Sequence, residues 1–111
     1  MGSLRDTFNQ EALALVQGEI DRFRSELTFE SARQLPRADG RDVVVAGKEV
    51  QLTVFSQTEP EFLKGRVLIT VQAARFGLGG TNTFRLERGV IFSADDPPRD
   101  ATETELAESG V

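Results

Sequence analysis

The apolar residues of this chain change their period once, and that change limits the folds open to it. Up to about residue 27 they recur every three to four positions, at Phe8, Ala12, Leu15 and Val16, Ile20, Phe23 and Leu27. Such spacing lines one side of an α-helix over residues 4–27. From Asp42 onward they alternate, as the side chains of a strand with one buried face must. The alternation predicts strands near 42–46, 49–57, 66–76 and 83–92. Their separators, Ala46-Gly47-Lys48, Thr58–Gly65 and a glycine-rich loop over Phe76–Asn82, are short, so sequence neighbours pair antiparallel.

The resulting sheet has two unlike faces. Val50, Leu52, Val54, Val67, Ile69, Val71, Ala73, Phe84, Leu86, Val90 and Phe92 fall on one side, the side expected beneath the helix stripe. Gln51, Thr53, Phe55, Leu68, Thr70, Gln72, Ala74, Arg85, Glu87 and Ile91 fall on the other. The expected fold is therefore α+β: one N-terminal amphipathic helix packed on a four-stranded antiparallel β-meander. Ser3 is placed to cap the helix, with Asp6 in its first turn near the positive end of the dipole. Gly18 sits in the helix interior and reads either as a tolerated glycine or as a close crossing over the sheet. Residues 28–41 read as a loop or a brief strand at Leu27–Glu30, ending in a turn at Ala38-Asp39-Gly40. A helix followed by a four-stranded meander is an architecture shared with cystatin-like folds. The hairpin loops Ala46–Lys48 and Phe76–Asn82 carry no inhibitor signature, and architecture alone carries no function.

At 111 residues the chain is long enough for one modest core. Residues 1–94 form the expected domain and 95–111 a flexible acidic tail. Six acids lie from Asp95 onward against Arg99 alone, a sum of −5, whereas residues 1–94 carry 12 acids and 12 bases. The acidity of the chain thus belongs to its last segment. That segment opens with Asp-Asp-Pro-Pro and holds no aromatic residue, which suits a mobile extension. Thr102 and Glu105 could cap a short helix within it, and the acids could dock on arginines of the same domain or of a partner.

Missing residue types restrict the chemistry. The sequence has no Cys, His, Tyr or Trp. Thiol nucleophiles, thiolate metal sites and imidazole acid–base catalysis are therefore excluded. No catalytic residue, metal ligand or cofactor is assigned, and binding rather than catalysis is the expected activity. Absence of Cys, of a basic-then-apolar leader and of any long apolar run points to a cytoplasmic protein without a membrane span.

Two candidate sites remain. Phe55, Leu68 and Ile91 are apolar residues on an otherwise polar sheet face, and form a candidate interface for a protein partner or a second copy. The stretch around Gly77, Gly79 and Gly80 is flanked by Arg75 and Arg85 and could contact an anion. It precedes a strand rather than a helix, so it lacks the geometry of a phosphate-binding loop and reads as a hairpin tip. The leading expectation is an interaction module working through the outer sheet face. The alternative is a ligand-binding or catalytic domain whose sheet curls into an arginine-lined pocket for an anionic ligand. Arg33, Arg37 and Arg41 recur at intervals of four, but the neutral body and the absence of stacking aromatics argue against nucleic acid. The carboxylate pairs Glu59/Glu61, Asp39/Asp42 and Asp95/Asp96 read as solvated surface.

Overall fold

A computed structural model describes residues 4–77, 79 and 82–111. Helix α1 spans Leu4–Glu26 and helix α2 Phe29–Arg33. Four long strands follow: β1 (Ala38–Val45), β2 (Lys48–Gln57), β3 (Val67–Phe76) and β4 (Asn82–Phe92). A 3-10 turn, Glu61–Leu63, joins β2 to β3. The chain ends with β5 (Arg99–Asp100) and α3 (Glu103–Ser109). The sheet is antiparallel and ordered β1-β2-β3-β4-β5. An N-terminal helix on an antiparallel sheet is thus the architecture expected, with five strands in place of four. The cap expected at Ser3 lies outside the described residues.

The helix stripe and the inner sheet face form one core. Phe8, Ala12, Val16, Ile20 and Phe23 are all buried against Val50, Leu52, Val67, Ile69, Val71, Ala73, Val90 and Phe92. Burying a side chain of the size of Ile20 or Phe23 contributes about 1.5–3 kcal/mol, so this contact is the main bond between the layers. Helix α1 lies over β3 and β4 and only skirts β1. Gly18 is exposed, and a Cβ built on it would meet no atom within 4 Å. It marks no close crossing.

The stretch before the sheet departs from expectation. Residues 29–33 are helical because Thr28 and Ser31 form a reciprocal capping box: the Thr28 side chain accepts from the Ser31 N–H, and the Thr28 N–H donates to the Ser31 hydroxyl. Ala32 buries beneath this turn, where its carbonyl accepts from the Ser56 hydroxyl. Strand β1 begins at Ala38, not at Asp42. β2 is ten residues long and offers partners as far as Phe55, so Ala38-Asp39-Gly40 pairs with Thr53–Phe55 instead of turning. Ala46 and Gly47, both at positive φ (49° and 77°), make the two-residue hairpin turn between β1 and β2.

The largest departure is at the C-terminus, where the expected mobile tail is a folded strap. β5 pairs with β4 through Asp100 opposite Val90 and Arg99 opposite Ile91, and the Ala101 N–H donates to the Gly89 carbonyl. Thr102 and Glu105 then form the capping box that starts α3. The helix lays Leu106 on the outer sheet face beside Leu63 of the 3-10 turn, and both are buried with Leu68 and Ile91. Polar contacts fasten the strap at several points. Arg24 of α1 pairs with Asp100. Gln57 of β2 donates to the Ser109 carbonyl at 2.8 Å, and Arg85 donates to the Val111 carbonyl. Leu106 and Ala101 meeting an apolar floor, with these polar contacts, outweigh the local acidity that suggested disorder.

Close approach at Gly89 makes this docking possible. A Cβ there would lie 2.8 Å from Leu106 Cδ2, 3.0 Å from Leu68 Cδ1 and 3.2 Å from the Ala101 Cβ. Gly89→Val is expected to lift the strap while leaving the inner core folded. Limited proteolysis should then cut within 99–111 at least tenfold faster than in the parent, with the β-sheet circular dichroism retained; unchanged cleavage would refute the packing role. Gly18→Ala, on the open side of α1, is expected to raise stability by about 0.5–1 kcal/mol in urea denaturation.

Candidate functional site

The three residues expected to form an interface are not together on an open surface. Leu68 and Ile91 stand opposite each other on β3 and β4 and are both fully buried, covered by Leu63 and Leu106. Phe55 stands opposite Thr70 on β2 and is half-buried. The apolar outer face therefore has its cover within the chain, and the strap that provides it went unrecognised because its apolar content is only Ala101, Leu106, Ala107 and Val111. Thr70 is itself fully buried, and its hydroxyl has no hydrogen-bond partner.

The glycine loop lies between β3 and β4, as expected of a hairpin tip; Gly77 and Gly79 are described, and Gly80 lies outside the described residues. Its two arginines leave the sheet on opposite faces, although both border the cleft at the start of α1. Arg75 is level with Phe84 and faces inward, whereas Arg85 is level with Ala74 and faces outward. Arg85 is engaged on that outer side by Glu87 and by the Val111 carbonyl. Arg75 instead reaches the end of α1: its guanidinium lies 5.9 Å from the Phe8 ring centroid, and its Nε donates to the Glu49 carbonyl at 3.2 Å. Lys48, placed by the sequence in a hairpin loop, brings its ammonium to 5.6 Å from the same ring.

A single helix covers β2 and the end of β1 and leaves most of β1 open. Residues Ala38 to Asp42 are exposed, and β1 has no strand on its far side. The two most exposed large apolar side chains, Val44 (71%) and Phe76 (55%), lie at the open end of this sheet. On the opposite side β5 pairs only with Val90 and Ile91, so the N-terminal part of β4 is an edge as well. On the inner side a groove of about 180 Å³ runs between α1 and β1, lined by Glu19, Arg22, Phe23, Asp39, Gly40 and Arg41 among others.

Seven of the arginines pair with carboxylates. Arg33 pairs with Glu30, Arg37 with Glu59 and Arg41 with Glu19, so the arginines spaced by four serve three separate contacts. Glu59 sits below its ordinary value, held by its own backbone N–H and that of Thr58 and then by Arg37. Glu105 is held at about 2, chiefly by hydrogen bonds from Arg99, with the Thr102 N–H and the Arg99 charge adding to it. Both shifts favour the charged carboxylate, the opposite of what a general acid needs. Among the described residues no group of three or more acidic, His or Cys side chains could hold a metal ion. No described helix is long and apolar enough to cross a membrane.

The Glu105 shift makes docking of the strap depend on pH. Its folded value lies below the unfolded value of about 4.5, so its contribution is complete above that pH and is lost as pH falls toward 2. Hydrogen exchange of the α3 amides should accelerate, relative to those of β3, as pH is lowered from 5 to 2.5. Glu105→Gln should remove this difference; if the variant keeps the full pH dependence, another group is responsible.

No family model matches the chain, and neither the curated proteins nor the solved structures contain a match to it.

Proposed function

We propose that the protein is a small cytoplasmic interaction module that works by binding rather than catalysis and pairs through the free edge of β1 with a second copy of itself. The observation that carries this reading is an eight-residue edge strand, exposed from Ala38 to Asp42, in which Asp39 and Arg41 flank Gly40. An unpaired edge presents a row of backbone donors and acceptors, and a charged pair on it normally deters association. Here the two charges are opposite and two residues apart, so both point to the same face.

Two-fold antiparallel pairing of identical strands requires each strand to reverse about a common centre. Centred on Gly40, that operation sets Asp39 against Arg41 of the second copy, twice, and Ala38 against Asp42. Centring one residue later sets Arg41 against itself, and two residues later sets Asp42 against itself. Charge therefore favours one register and opposes its neighbours.

Sedimentation equilibrium between 10 µM and 1 mM is expected to show a reversible dimer. Asp39→Arg or Arg41→Asp should each weaken it about tenfold or more, since two exposed pairs worth up to about 1 kcal/mol each become like-charge contacts. The double exchange, D39R with R41D, should recover most of the loss. A monomer at 1 mM, or no recovery in the double variant, would overturn the reading.

A further inference from the structure

We infer that the cleft at the N-terminal end of α1 is a binding site for a small organic anion, a carboxylate or phosphate carried on a flat apolar body. The site is separate from the β1 edge and does not depend on it. It is an open cleft of about 600 Å³ between the start of α1 and the inner sheet face, floored by Phe8, Phe84, Leu13 and Leu86 and walled by Lys48 and Arg75.

Three observations carry this assignment. Lys48 and Arg75 arrive from different strands at one ring, within 5.6 and 5.9 Å of the Phe8 centroid. Two like charges gathered on one aromatic ring repel each other, and the ring quadrupole offsets that only in part. Neither cation has an ion-pair partner among the described residues, although the chain is acidic overall and pairs eight arginine–carboxylate contacts elsewhere. No acidic side chain is among the described residues lining the cleft. Lys48 and Arg75 thus meet at one ring with no carboxylate among the described residues of the cleft.

The floor decides what kind of anion fits. Phe8 and Phe84 meet edge to face at 4.9 Å and 74°, which fixes both rings as a rigid apolar step. Leu13 remains 39% exposed beside them. Apolar surface next to two unpaired cations suits a ligand with an apolar body and one anionic group. Arg75 is held in place by its bond to the Glu49 carbonyl and by the Thr83 hydroxyl bonded to its own carbonyl at 3.2 Å. The guanidinium is therefore positioned before any ligand arrives, and less conformational entropy is lost on binding.

The test is a titration of the full chain with phenyl phosphate, inorganic phosphate and benzyl alcohol, followed by backbone amide NMR shifts. Phenyl phosphate should shift Phe8, Asn9, Lys48, Arg75 and Thr83 saturably. Inorganic phosphate and benzyl alcohol, each supplying half of the recognition, should bind at least tenfold more weakly. Lys48→Gln and Arg75→Gln should each weaken phenyl phosphate about tenfold with the rest of the amide spectrum unchanged, whereas Lys64→Gln on the far turn should not. Equal binding of inorganic phosphate, shifts elsewhere on the surface, or unchanged affinity in both glutamine variants would overturn the assignment. So would the absence of a saturable shift at 10 mM phenyl phosphate.

Discussion

One helix cannot cover a sheet of four long strands. A helix is about 10 Å across, and strands lie about 4.8 Å apart, so α1 spans roughly two of them. It lies over β3 and β4, where Val67, Ile69, Val71, Ala73, Val90 and Phe92 meet its stripe. Every other feature of the molecule answers the question of what happens to the remaining surface. Part is covered by segments outside the regular meander, and part is left open.

The outer face shows the covered case. Leu68 and Ile91 would face water if the sheet ended at β4, and two short segments close over them. The 3-10 turn brings Leu63 from one side, and the C-terminal strap brings Leu106 from the other. Such short segments are stable only in place: seven residues of α3 are too few to hold a helix alone. Its caps, its bond to Gln57 and the gap left by Gly89 act together, and two of the strap's acidic residues serve them, Glu105 in the capping box and on Arg99, and Asp100 on Arg24.

The open case is the β1 edge and the end of α1. Both retain exposed apolar groups next to charges, and their charges differ in kind. On β1 the charges alternate in sign around Gly40, which suits a copy of the same strand. Around Phe8 they are both positive, which suits a ligand of opposite sign. Exposed charges beside open backbone or apolar surface are the natural places for a module of this size to meet other molecules.

The helix, the inner sheet face and the assignment of side chains to each face of β2, β3 and β4 were legible in the sequence, because hydrophobic period is a local signal repeated over many residues. Even the buried pair Leu68 and Ile91 was visible as apolar on a polar face. Its cover was not: one leucine in an acidic segment is too weak a pattern, and only the pocket above Gly89 gives that leucine somewhere to go. Likewise Ala38-Asp39-Gly40 is a turn by local preference and a strand because β2 extends far enough to pair with it. Arg75 and Arg85 are equivalent by position beside the glycine loop, yet strand register sends them to opposite faces. Chain-local patterning set the elements and their buried sides, whereas tertiary contact decided which segments cover them and which cations meet, since both depend on register and packing between residues distant in sequence.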